Sequence, residues 1–201
     1  MYAYFCCMQD EKINPWKIID EQKIYANNWI EVTHFNVINP SGNEGVYGKV
    51  HFKNLAIGIV AVDEDLNTYL VGQFRFPLGK YTWEIPEGGC PLNENPLLAA
   101  KRELLEETGL KAERWQVLGT TELSNSVTDE TGIFYVAMEL SQHQAQPEET
   151  EDLQIKKISL YKVFEMVDEG EITDAMSVLA LQKLQLNMMK GLKDFNKNAP
   201  V

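Results

Sequence analysis

The amino-acid sequence predicts an α/β domain with layered packing, on three observations. Apolar runs of strand length fill the first half, a well-capped helical segment sits near the middle, and further strands and then helices complete the chain. At 201 residues the chain has the size of one domain with room for a small appendage. Its 44% hydrophobic and 24% charged residues are ordinary for a globular protein and exclude a disordered or collagen-like one.

The elements follow in chain order. Met1 to Met8 is apolar but lacks a basic n-region and meets Gln9, Asp10 and Glu11 too soon for a secretory signal. Trp29 to Ile38 alternates for much of its length and stops at the turn signal Asn39-Pro40-Ser41-Gly42; Val46 to Phe52 reads as the return strand. Residues 1–54 are therefore expected to form a small antiparallel β unit, and 55–201 the main domain. Leu55 to Val62 is more continuously apolar, as in a strand buried on both faces. Being among the longest such runs, it also shows that nothing approaches the ~20 residues needed to cross a bilayer. After a turn over Asp63 to Asn67, Thr68 to Phe74 is expected to pair with it, and Thr82 to Ile85 is a further strand. Pro96 to Thr108 is the first convincing helix, with Asn95 as N-cap, Pro96 in the first turn and Gly109 just past its end. Strand signals resume at Trp115 to Leu118 and Ile133 to Ala137. Gln142 to Asp152 is polar and acidic and predicts a mobile loop. Helices are expected over about Leu160 to Asp168 and Asp174 to Met189.

Eighteen basic against thirty acidic residues give a net charge of −12. Such a chain is a poor partner for nucleic acid or an anionic membrane, and it can hold a polyanionic small molecule only if a metal supplies positive charge. Cys6, Cys7 and Cys90 are an odd set without disulfide spacing, which points to reduced thiols and a cytoplasmic setting. With no C-x-x-C pair and with His34, His51 and His143 scattered, zinc is not expected.

Chemistry concentrates in residues 88–110. On a helical wheel Glu103, Glu106 and Glu107 span an arc of about 100°, with Leu97, Leu98, Leu104 and Leu105 roughly opposite and Lys101 inside the leucine arc. Clustered carboxylate oxygens are hard ligands suited to Mg²⁺ or a related ion. Glutamates on a helix are most often a solvated face, but here more is specified. Gly88, five residues, Glu94, seven residues, Arg102-Glu103-Leu104, one residue, Glu106-Glu107, one residue and Gly109-Leu110 match every defined position of the Nudix box. By average residue usage such a match arises by chance on the order of once in ten million chains of this length. The chain thus resembles the Nudix hydrolases.

That resemblance implies an α/β/α sandwich with a mixed sheet and hydrolysis of a nucleoside diphosphate linked to another moiety, with Mg²⁺ (or Mn²⁺) held against the pyrophosphate. Carried over by position, Glu103 and Glu107 are the principal metal ligands, Glu106 is an additional ligand with a catalytic part, and the backbone carbonyl of Glu87 joins them. Arg102 and Glu94 are expected to brace the loop against the helix as an ion pair.

Outside the box the chain resembles the ADP-ribose and nucleoside-diphosphate-sugar pyrophosphatases of the family. Gln73-Phe74-Arg75-Phe76-Pro77 followed by Trp83-Glu84-Ile85-Pro86-Glu87-Gly88-Gly89 matches their lead-in to the box. An N-terminal strand unit, which in that branch commonly builds a homodimer, and the segment Leu123 to Glu130 also agree. The resemblance implies Glu130 as general base, with Asp129 as rival. Arg75 is expected to pair with phosphate or the far sugar, or else to close a strand end. Glu84 orients a substrate hydroxyl or is a buried structural carboxylate, and Trp29 and Phe74 are stacking surfaces or core. Where ADP-ribose-selective members carry Ser-Pro-Gly, this chain has Ser124-Asn125-Ser126, whose hydrogen-bonding groups suit a hexose or a phosphate, so nucleoside-diphosphate hexoses stay open as substrates. Gly170 to Ser177 resembles an acidic turn and helix of that branch, there for packing and loop support, with Glu171 and Asp174 as acids within possible reach of the site. The competing readings are a non-catalytic Nudix-fold sensor, a Nudix hydrolase of another nucleotide, and an acidic interaction module.

Overall fold

The structure, a computed structural model, describes residues 13–145 and 153–191. Cys6, Cys7 and most of the expected loop, residues 146–152, lie outside the described residues. The chain divides into two compact units, residues 1–51 and 52–201.

The first unit carries a three-stranded sheet of β1 (Lys17–Ala26), β2 (Ile30–Ile38) and β3 (Glu44–Phe52), with β2 in the middle. β1 and β2 are antiparallel, with Lys17 opposite Ile38 and Ala26 opposite Glu31. The Asn27 side chain accepts from the backbone N–H groups of Trp29 and Ile30, both at 2.8 Å, and so shapes the turn between them. β1 has no counterpart in the sequence reading, and the reason is local. Its register shifts between Ile18 and Asp20 and again between Lys23 and Tyr25, which breaks the period-two pattern that announces a strand.

The second unit packs two sheets with three helices. A four-stranded sheet has the order β7 (Glu87–Pro91), β4 (Asn54–Ala61), β9 (Glu130–Gln142), β8 (Leu110–Leu123). β4 runs parallel to β9 and antiparallel to β7, so the sheet is mixed. A three-stranded antiparallel sheet has β5 (Asn67–Arg75) between β10 (Gln154–Ser159) and β6 (Lys80–Glu84). The helices are α1 (Pro96–Thr108), α2 (Leu160–Asp168) and α3 (Ala175–Met189). Alternate side chains of β4 enter two cores. Ile57, Ile59 and Ala61 pack with Ala99, Ala100 and Leu104 of α1, whereas Val60 packs with Val163 of α2 and Leu181 of α3. β4 is therefore buried on both faces, and helices lie on either side of its sheet, the layered α/β arrangement that the sequence predicts.

Three readings need correction. The expected pairing of Leu55–Val62 with Thr68–Phe74 does not form: only the bridge Val62–Thr68 joins them, because β7 and β9 already occupy both edges of β4. The chain instead crosses to the second sheet at the Asp63 turn. The Glu87-Gly-Gly stretch, to which the sequence reading gives no strand, is strand β7; its glycines and proline hide the strand from propensity. The wheel face of α1 is also different, as described below. Strand β10 was not anticipated either, being short, lysine-rich and next to a polar segment. Among the described residues no helix is long and apolar enough to cross a membrane, and Cys90 is free and buried.

The ends of α1 match the sequence reading. Asn95 accepts from the N–H groups of Leu97 (2.9 Å) and Leu98 (3.4 Å), and Gly109 takes φ +70°, donating to the Leu105 carbonyl at 2.9 Å. A side chain at Gly109 would also meet the His143 carbonyl oxygen at 2.6 Å. Asn95→Ala should lower stability by about 1 kcal/mol, read as a reduced urea midpoint with unchanged slope, while Asn95→Asp should hold the midpoint.

Candidate active site

α1 turns its carboxylates inward. Its buried residues are Ala99, Ala100, Glu103, Leu104, Glu107 and Thr108, which share one face, whereas Leu98 is 59% exposed. Glu103 (9% exposed) and Glu107 (3%) thus lie on the core side, and the leucines do not form the opposite, buried arc expected from the wheel. The cause is that small Ala99 and Ala100 let the helix approach the sheet on this face. Carboxylates in such a place need strong partners. Arg102 Nη1 bonds Glu103 Oε1 at 2.6 Å and Glu106 Oε2 at 3.0 Å, and Nη2 bonds Glu94 Oε2 at 3.2 Å and the Gly89 carbonyl at 2.9 Å. The expected Arg102–Glu94 brace is therefore present, within a wider cluster. Burial alone would depress the guanidinium pKa, but bonding to Glu94 and the charge and bonds of Glu103 and Glu106 raise it above its ordinary value. Glu107 Oε2 accepts the Glu87 N–H at 3.0 Å, tying α1 to the start of β7.

The residues present fit a hard divalent cation. Among the described residues no three acidic, histidine or cysteine side chains form a ready-made metal cluster. Yet the donors are carboxylate oxygens brought to one loop. A Cβ at Gly88 would collide with the Glu103 carboxylate, so glycine lets that carboxylate lie directly against the backbone here.

A second group of charges faces the β6–β7 turn. Glu84 is 2% exposed and accepts from Arg75 Nε at 2.9 Å, from Arg75 Nη2, and from Thr82 Oγ1 at 2.7 Å. Burial would lower the Arg75 pKa, but its bonds to Glu84 and the charges of Glu84, Glu87 and Asp174 raise it, so the cation is secure. Arg75, Thr82, Glu84, Thr173 and Asp174 line a cavity of about 210 Å³ with Pro77 and Leu78. Burial, then the charge and hydrogen bond of Asp174 and the charge of Glu84, push the Glu87 carboxyl well above the usual carboxylate range, against a lowering by Ser177. Glu130, the first residue of β9, is half-buried; burial and then the charge of Asp174 raise its pKa. Asp129 is exposed and accepts the Phe52 N–H at 3.0 Å.

Arg75, Glu84, Glu87, Glu130 and Asp174 are thus electrostatically joined, and Glu103, Glu106 and Glu107 form the neighbouring α1 group. Ser124, Asn125 and Ser126 stand exposed on the turn before β9, where Ser124 takes φ +48° and its carbonyl accepts from Val127 and Thr128. Phe74 is exposed on β5 and Trp29 in the first unit. Asp174 is more central than the sequence reading made it, and Thr82 and Ser177 were not singled out. Asp174, which the sequence reading makes the first residue of the last helix, is its cap, accepting from Ser177 N–H at 2.7 Å, and the loop it faces depends on tertiary packing.

Comparison with known proteins gives the family. The NUDIX domain family model matches residues 52–190. The chain is 30% identical over 172 residues to the ADP-ribose pyrophosphatase of Bacillus subtilis (strain 168), covering 85% of this chain and 92% of that one. It is 30% identical over 177 residues to a protein named methanol dehydrogenase activator from Bacillus methanolicus, covering 87% and 95%. A solved structure titled as an ADP compounds hydrolase superposes with a TM-score of 0.80 at 20% identity, over 90% of this chain and 98% of that one, and shares the fold. With the box in place on α1 and the family match spanning the second unit, the chain belongs to the Nudix family.

Proposed function

We propose that the protein hydrolyses the pyrophosphate bond of a nucleoside diphosphate sugar, ADP-ribose or a nucleoside-diphosphate hexose, to a nucleoside monophosphate and a sugar phosphate, with Mg²⁺ as cation and Mn²⁺ as substitute. The observation that carries this is the inward, buried setting of Glu103 against Gly88 and of Glu107 on the Glu87 N–H, which a solvated acidic face or an interaction module does not require. The ADP-ribose pyrophosphatase named among the relatives supports the substrate class.

In this reading Glu103 and Glu107, with Glu106 and the Glu87 carbonyl, hold the cation. When bound, it supplies the positive charge that an acidic protein needs against a pyrophosphate and against charge developing on the scissile phosphorus. Arg75, kept cationic and oriented by buried Glu84, faces a phosphate or the far sugar from the cavity wall. Glu130 takes the proton of the attacking water at its carboxylate. Asp129 is the poorer candidate because it already accepts a backbone N–H. Ser124, Asn125 and Ser126 offer hydrogen bonds to sugar hydroxyls. The relative named for activating a dehydrogenase gives a second reading, a regulator of a partner enzyme; turnover of a nucleotide-sugar panel with Mg²⁺ and Mn²⁺ separates the two.

The N-terminal unit, residues 1–54, is proposed to build a homodimer. β1 is exposed along its whole length, including Ile18, Ile19, Ile24 and Tyr25, and three strands alone make too small a core to leave such residues bare.

Glu103→Gln and Glu107→Gln should each cut turnover by about 10²-fold or more with the fold intact by circular dichroism, and EDTA should do the same. Undiminished hydrolysis in chelator would remove the metal mechanism. Glu130→Gln should lose at least ~10²-fold in kcat while calorimetry still detects substrate binding, and Asp129→Asn should lose less. Because the base works deprotonated and its pKa is raised, kcat should fall on acidification at a higher pH than an ordinary glutamate gives. Asp174→Asn removes a repelling charge and should move that limb to lower pH; an upward move would contradict the assignment. Sedimentation at micromolar concentration should give a dimer, and deleting the strand unit should give monomers.

A further inference from the structure

We propose that Ser177 is a positioning residue for the reaction: its buried hydroxyl sets the Ile85–Glu87 backbone that presents the Glu87 carbonyl to the cation. The inference rests on the cation reading of Glu87, Glu103 and Glu107.

Ser177 is fully buried (0% exposed), and its hydroxyl makes two bonds to one loop. Oγ accepts the Ile85 N–H at 3.0 Å and donates to Glu87 Oε1 at 2.9 Å. The same loop is held from two other directions. The Pro86 carbonyl accepts from Ile59 N–H of β4 at 2.9 Å, and the Glu87 N–H donates to Glu107 on α1 at 3.0 Å. Three elements thus fix three consecutive residues, and the Ser177 oxygen on α3 alone holds both the first of them and the last.

The placing of that oxygen is itself built into the strands. Met176, the preceding residue, seats against Gly58 of β4 and Gly132 of β9. A Cβ at Gly58 would come within 3.2 Å of Met176 Cε and 3.0 Å of Ile85 Cδ1, and one at Gly132 would collide with the Met176 sulfur. Glycine in the middle of a central strand weakens it unless a close approach requires it. Here two of them admit the first turn of α3, whose Asp174 cap locks the Ser177 N–H at 2.7 Å. The line runs from two strand glycines through Met176 and Ser177 to the loop between β6 and β7, and from there to Glu107. Removing the hydroxyl leaves the Ile85 N–H without its acceptor and takes one hydrogen bond from the Glu87 carboxyl, so toward α3 the loop keeps only the side-chain bond between Glu87 and the Asp174 cap, while α1 keeps its own.

The test uses the full-length protein and reads Mn²⁺ binding by electron paramagnetic resonance of the free ion, alongside kcat and KM for ADP-ribose. Ser177→Ala should weaken Mn²⁺ binding by about 10-fold, the effect of losing a group that orients a ligand, and lower kcat by a similar factor with KM within about twofold. Val163→Ala, a truncation in the core on α2, should lower Tm without changing Mn²⁺ affinity. If the Ala variant does not fold, Ser177→Cys fills the same space with a much weaker hydrogen-bonding group, and its Mn²⁺ affinity decides: weakened binding supports the proposal and unchanged binding overturns it. A Ser177→Ala protein that binds Mn²⁺ and turns over like the wild type, whatever its Tm, also overturns it. A wild-type protein that binds no Mn²⁺ would instead overturn the cation reading, and this inference with it.

Discussion

The constraint on which the rest depends is the burial of two carboxylates on the core side of α1. Glu103 and Glu107 occupy positions where a globular helix ordinarily places leucine. Every neighbouring feature answers that demand. Gly88 gives up its side chain so that Glu103 has room, Ala99 and Ala100 bring the helix close to the sheet, and Glu87 turns its backbone N–H to Glu107. Without these accommodations and the Arg102 guanidinium bonded to Glu103, the inward glutamates would be uncompensated buried charges, among the costliest defects a core can contain.

The protein meets its excess of negative charge with two arginines that serve different groups. Arg102 is shared among Glu94, Glu103 and Glu106 on the helix side, and Arg75 is committed to Glu84 on the strand side. Beside these pairs stand Glu87, Asp174 and Glu130; burial, and then the charge of Asp174, raise the carboxyl pKa of Glu87 and Glu130. Such a mixture of paired and unevenly compensated acids suits the handling of a cation and a proton proposed for this site.

Much of this was legible in the sequence where the signal is local. The caps of α1 were readable because Asn95 and Gly109 act on their own helix, and the box was readable from spacing alone. What escaped depends on neighbours remote in sequence. A wheel ranks Leu98 above Glu103 for burial, and only the loop at Gly88 and the charge of Arg102 reverse that order. The apparent hairpin from β4 to β5 failed because β9, some seventy residues on, takes the edge that β5 would have used. β1 was hidden by two bulges. Asp174 and Ser177 look like routine residues of a helix start, and only the docking of α3 over Gly58 and Gly132 brings them to the Ile85–Glu87 loop.

The Arg102 cluster has a consequence for how folding and loading are related. In many small metal-dependent domains the unliganded chain cannot fold, because the ligands repel one another until the ion arrives. Here the guanidinium is a resident counter-charge, covalently part of the helix and held to three of the acids it neutralises. On the cation reading proposed above, that pairing lets the fold assemble before an ion enters. Loading would then add stability only as mass action dictates, rising with the logarithm of ion concentration, and depletion would empty the site without unravelling the domain.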